Sequence, residues 1–141
     1  MLYIKNGTII DPVENRIYLG DIQVEDGKIS GIMEREGNGA AVKEPTFSKE
    51  DRMIDAKGLM IAPGLVDVHV HFRDPGFTYK EDIHTGAQAA AKGGFTQIVL
   101  MANTKPCVDH VETLSYVLEK GRETGIHISS CANVTMNMAG K

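Results

Sequence analysis

The sequence predicts an α/β chain in two parts, a small all-β region over 1–62 and a region over 63–141 where strands and helices alternate. Three observations predict it. Asn6-Gly7 and Asp26-Gly27 each separate short apolar, β-branched runs, the pattern of tight hairpin turns. After Pro63 the apolar spacing switches between strand and helix periods to give a βαβαβ run, which requires parallel pairing and right-handed crossovers. Finally, Asp67-Val68-His69-Val70-His71-Phe72-Arg73 alternates chemical and apolar residues, as a strand with one functional face does.

In chain order, Leu2–Lys5 and Thr8–Ile10 form the first expected hairpin, and Asp21–Glu25 and Lys28–Ile32 the second. Glu34 to Arg52 is polar, with Gly37, Gly39 and Pro45, and reads as a long loop with no assigned function. Short strands follow at Met53–Asp55 and Leu59–Ala62. Beyond the histidine strand, Ile83, Ala87, Ala90 and Ala91 set a helix over 80–92 that stops at Gly93-Gly94. Thr96–Ala102 is a near-continuous apolar strand, as expected where both faces are covered. Asp109 can cap a second helix, with Glu112 completing a capping box and Val111, Leu114, Val117 and Leu118 forming its buried stripe. Gly125 ends that helix, and Ile126–Cys131 is the third strand.

Asp67, His69, His71 and Arg73 are predicted to share one side of their strand, opposite Val66, Val68, Val70 and Phe72. An acid, two imidazoles and a guanidinium brought together need a partner, and a divalent metal supplies one. Pro63-Gly64 before the strand and Arg73-Asp74-Pro75-Gly76 after it describe a buried strand opening into a loop at its C-terminal end, where barrel enzymes carry their sites. His84 and His110 read as exposed helix histidines, and His127 as a satisfied core or loop residue. Cys107 and Cys131 form no C-x-x-C and read as reduced, partly buried thiols.

The chain has 141 residues, 42% hydrophobic and 24% charged, enough for a real core and unlike a disordered tail. Its net charge of −4 offers no electrostatic footprint for nucleic acid or an anionic membrane, so the expected partner is a small molecule. No apolar run approaches a membrane span and no signal-like segment opens the chain, so the expected location is the cytoplasm.

The run Pro63-Gly64-Leu65-Val66-Asp67-Val68-His69-Val70-His71 resembles the start of the amidohydrolase-superfamily barrel. Phe72-Arg73-Asp74-Pro75-Gly76, Lys80-Glu81-Asp82, Thr85-Gly86, Ala89 to Thr96 and Met101 to Pro106 narrow the resemblance to bacterial-type dihydroorotase, over nearly the whole chain. The resemblance implies the first three strands of an incomplete (β/α)8 TIM-type metal-dependent hydrolase barrel, preceded by the small β domain. It implies a zinc enzyme, with one or two ions, that interconverts dihydroorotate and N-carbamoyl-aspartate in pyrimidine biosynthesis. His69 and His71 would be metal ligands, Arg73 and Asn103 would hold the substrate carboxylate and its polar neighbours, and Asp67 would support the site. Ala102 stands where the family usually has proline. An eight-fold barrel takes about 250 residues, so the catalytic aspartate and remaining ligands are expected outside these residues and the chain by itself is expected to be inactive. Open sheet edges make an oligomer an expectation. The alternatives are an allantoinase or hydantoinase type of cyclic amidase, against which Arg73 with Asn103-Thr104 argues, and a non-catalytic partner built on the same fold.

Overall fold

The computed structural model describes residues 1–35 and 45–140, so the centre of the expected loop over 34–52 lies outside the described residues. The chain forms two compact units, Met1–Pro63 and Gly64–Lys141.

In the first unit β1 (Leu2–Asp11), β2 (Arg16–Glu25) and β3 (Lys28–Glu34) form an antiparallel meander. Strands β4 (Arg52–Asp55) and β5 (Met60–Ile61) both pair parallel with β1. Asp26-Gly27 makes the expected hairpin turn, with φ of 49° and 73°. Asn6-Gly7 does not. The pairing of β1 with β2 shifts register between Ile4 and Gly7, so the positive φ of Asn6 (62°) is absorbed as a bulge inside one continuous strand. The chain reverses instead over residues 12–15, where the Asp11 side chain accepts from the Val13 and Glu14 N–H groups at 2.9 and 3.0 Å. Gly7 sits close against β5, where a Cβ would meet Ile61 Cδ1 at 2.2 Å and the Ile61 side chain would have to shift. Tyr3, Ile9, Ile22 and Ala56 are buried, and so is Asp21, fully.

The second unit is the expected βαβαβ run: β6 (Leu65–Val70), α1 (Ile83–Lys92), β7 (Phe95–Leu100), α2 (Val111–Arg122) and β8 (His127–Ser130). Its strands are parallel in the order β6-β7-β8. Ile83 and Ala87 of α1 and Val117 of α2 join Phe72, Ile98, Leu100 and Ile128 in one core cluster. Helix α1 begins three residues later than expected because Asp82 caps it, accepting from the Thr85 N–H at 2.9 Å in a reciprocal capping box. The expected capping of α2 by Asp109 is not found: His110 occupies the cap position, while Asp109 accepts from the Asn137 N–H at 2.6 Å and contacts His110 Nδ1 at 2.5 Å. Val117 is buried as expected, but Val111, expected in the same stripe, is 74% exposed, and Thr113 and Gly121 are buried beside Val117. Strand β6 is less buried than expected, with Leu65, Val66 and Val68 exposed, because it is the edge of its sheet. No helix among the described residues is long and apolar enough to cross a membrane.

Candidate functional site

The histidine strand departs from regular alternation. Asp67 pairs with Ile98 and Val70 with Leu100, so three steps along β6 match two along β7, and one residue is bulged between them. Asp67 therefore lines the space facing α1 with Val70, Phe72 and Ile98, and the expectation that it shares a face with His69 and His71 is corrected. Its carboxylate nevertheless serves the histidines. Asp67 Oδ1 accepts from the His69 N–H at 3.0 Å, satisfying a backbone donor in the bulged segment.

His69 and His71 lie at the C-terminal end of β6, exposed, with ring centres 5.2 Å apart and planes at 63°. Asn103, in the loop after the neighbouring β7, places Oδ1 2.9 Å from His71 Nδ1. With the amide oxygen as acceptor, Nδ1 carries the proton and Nε2 keeps a free lone pair. The donor set suits a metal: one ion bonded to a nitrogen of each ring at about 2.0–2.1 Å in tetrahedral geometry would hold ring centres about 5 Å apart, close to the spacing found. The set is partial, as no group of three or more metal-ligating side chains occurs among the described residues.

Arg73 follows two residues beyond His71. Its N–H donates to the Glu81 carbonyl at 3.1 Å and its carbonyl accepts from the Phe77 N–H at 2.7 Å. Arg73 is half-buried as a residue and makes no ion pair with the described residues. The loop bearing Arg73 and the loop bearing Asn103 touch directly: the Lys105 N–H donates to the Pro75 carbonyl at 3.1 Å, and a Cβ on Gly76 (φ 95°) would meet the Lys105 carbonyl oxygen at 2.1 Å. Asp74, next to Arg73, is fully buried and bonded to Tyr116 and Lys120 of α2. No sequence pattern marks that cluster, because its partners lie 42 and 46 residues away.

The other histidines stand apart from this group. His84 faces Glu123 at 3.5 Å, His110 begins α2, and His127 is exposed beside Ser129 rather than in the core. Both cysteines are free thiols; Cys107 is half-buried and Cys131, expected partly buried, is exposed.

Residues 58–140 match the family model described as dihydro-orotase-like. The whole chain is 49% identical to the dihydroorotase of Streptococcus pneumoniae and 46% identical to that of Clostridioides difficile, in each case covering 31% of the relative. Among solved structures, L-hydantoinase (dihydropyrimidinase) from Arthrobacter aurescens superposes with a TM-score of 0.73 at 25% identity, over 93% of this chain and 27% of that one. The chain thus spans about a third of its curated relatives, and its second unit has the fold of the opening strands of a (β/α)8 barrel such as that of the solved structures it superposes on. On the family model and the whole-chain identity together, the chain belongs to the dihydro-orotase-like family.

Proposed function

We propose that these residues supply the first metal ligands and the carboxylate grip of a zinc-dependent dihydroorotase, which opens (S)-dihydroorotate to N-carbamoyl-L-aspartate and closes it again. The observation that carries this reading is the grouping of His69, His71 and Asn103 at the C-terminal ends of adjacent parallel strands, with Arg73 on the next loop. The relatives named dihydroorotase support it. The remaining ligands and the catalytic aspartate come, on this reading, from chain beyond residue 141, so the 141 residues alone are inactive. The partner is a small anionic substrate and the setting the cytoplasm.

Ring opening breaks one C–N bond: water's oxygen ends on the carbonyl carbon, and the departing nitrogen takes a proton. When bound by His69 and His71, one or two zinc ions supply a water of lowered pKa and polarise the carbonyl. Asn103 fixes the His71 tautomer through Oδ1 and keeps its amide N–H groups to donate to the substrate. Arg73 presents a planar fork of donors that fits a carboxylate with two parallel hydrogen bonds.

Steady-state kinetics of the full-length enzyme test the reading. Arg73→Lys keeps the charge but loses the fork, and is expected to raise KM for dihydroorotate about tenfold or more, the equivalent of one charge-assisted hydrogen bond. Unchanged constants refute the assignment. The structural likeness to L-hydantoinase favours one second reading, a hydantoinase or allantoinase type of cyclic amidase. Turnover of hydantoin or allantoin without turnover of dihydroorotate selects it, and no turnover of any of the three with zinc bound selects a non-catalytic protein.

A further inference from the structure

Asp74 is a buried carboxylate beside the proposed substrate-binding arginine, and the reaction makes no use of it. It is 0% exposed. An ionised group in that position must be fully partnered. Its Oδ1 accepts from the Tyr116 hydroxyl at 2.8 Å and its Oδ2 from Lys120 Nζ at 2.9 Å, with the Ile83 N–H 3.5 Å from Oδ2. Tyr116 and Lys120 stand one turn apart on α2, and the ammonium also lies 4.9 Å from the Tyr116 ring centre. The Tyr116 hydroxyl and then the Asp74 carboxylate hold the Lys120 pKa above its ordinary range, so the partner is charged at any working pH.

The backbone around Arg73 is therefore pinned from several directions. Its own N–H and carbonyl are bonded to Glu81 and Phe77, the Pro75 carbonyl is bonded to Lys105, and the adjoining residue is tied to a helix by charge. Buried ion pairs contribute little net stability compared with apolar packing, but they are directional. A fork that must meet a carboxylate along two hydrogen bonds needs direction. We propose that Tyr116 and Lys120 are positioning residues, which act through Asp74 to fix the loop on which Arg73 presents its guanidinium to the substrate carboxylate. This rests on the role given to Arg73 above.

The test uses the full-length, zinc-loaded enzyme with dihydroorotate as the probe. Tyr116→Phe and Lys120→Met are expected to raise KM about threefold to tenfold, the range of one lost hydrogen bond, with kcat within about twofold and metal content unchanged. Lys120→Arg, which keeps a charged donor, should recover part of the loss. Combined with Arg73→Lys, Tyr116→Phe should add little further, because both act on one grip. Amide exchange in residues 73–80 should quicken in the α2 variants. A lowered Tm with KM unchanged would show a merely structural cluster and overturn the inference, as would full additivity with Arg73→Lys. An Arg73→Lys variant with unaltered KM removes the reading of Arg73 and this inference with it. That outcome is distinct from one in which Arg73→Lys raises KM while the α2 variants do not, which overturns the inference alone.

Discussion

His71 is exposed, and among the described residues only its Nδ1 has a hydrogen-bond partner. Nδ1 faces Asn103 Oδ1 at 2.9 Å, which leaves Nε2 its lone pair, and the His69 ring centre lies 5.2 Å from that of His71. Replacing Asn103 with alanine removes the group that fixes both tautomer and ring orientation. Losses of this kind cost about 10- to 100-fold in metal affinity, so we expect Asn103→Ala in the full-length enzyme to weaken zinc binding by that order in a chelator competition. Affinity equal to the parent would leave Asn103 a role toward substrate only. The two histidines are legible in the sequence as an i, i+2 pair on a strand, since alternation is a local property. The Asn103–His71 bond is not, because it spans 32 residues. Nor is the bulge that turns Asp67 toward α1, because register is defined only once β7 lies alongside.

At the scale of elements, the two Asx-Gly pairs show where local chemistry is and is not decisive. Asp26-Gly27 makes the turn it predicts, pairing Glu25 with Lys28 and Val24 with Ile29 before the register shifts at Gln23. Asn6-Gly7 offers the same backbone freedom, but long-range partners claim it: the Asn6 N–H donates to Asp21 at 2.8 Å and its side chain to Asp55 at 2.9 Å. Asp21 is the knot of this sheet, receiving Arg35 Nε and Nη2 at 2.7 Å each and the Tyr3 hydroxyl at 2.6 Å. Burial alone would raise its pKa, but the bonds from Arg35, Tyr3 and the Asn6 N–H together outweigh burial and lower it. A depressed folded-state pKa contributes stability that is present above the unfolded value of about 3.9 and lost as pH falls through the folded value. Asp21→Asn should therefore flatten the acid limb of stability below about pH 4. At neutral pH it should cost about 1.5–3 kcal/mol, the range for hydrogen bonds to a charged group, because asparagine does not match the carboxylate that Arg35 and the Tyr3 hydroxyl meet. Urea melts across pH read both effects, and a parallel acid limb in the variant would assign that limb to other carboxylates.

Across the whole molecule, the distribution of apolar surface follows from how much of the family's length these residues span. The chain covers 31% of the dihydroorotases it matches. In the second unit, Leu65, Val66 and Val68 on the edge strand β6 are 53%, 53% and 68% exposed, where a closed barrel would cover them. In the first unit, a cavity of about 370 Å³ opens among Ile4, Ile10, Val13, Val24, Ile29 and Ile32, side chains that a purely solvated sheet face would not carry. An unpaired parallel edge and two apolar faces favour association of any chain that ends at residue 141. Light scattering on a size-exclusion column should show the isolated 141 residues as concentration-dependent oligomers. Extension of the same sequence to the length of its relatives should suppress that association. On the proposed reading the histidine strand gains most from the added length, because closing the sheet would cover Val66 and Val68 and bring the remaining ligands toward His69 and His71. A cooperative monomer of 141 residues would instead mean that these faces are stable in water as they stand, and that the proposed dependence of the site on more chain is wrong.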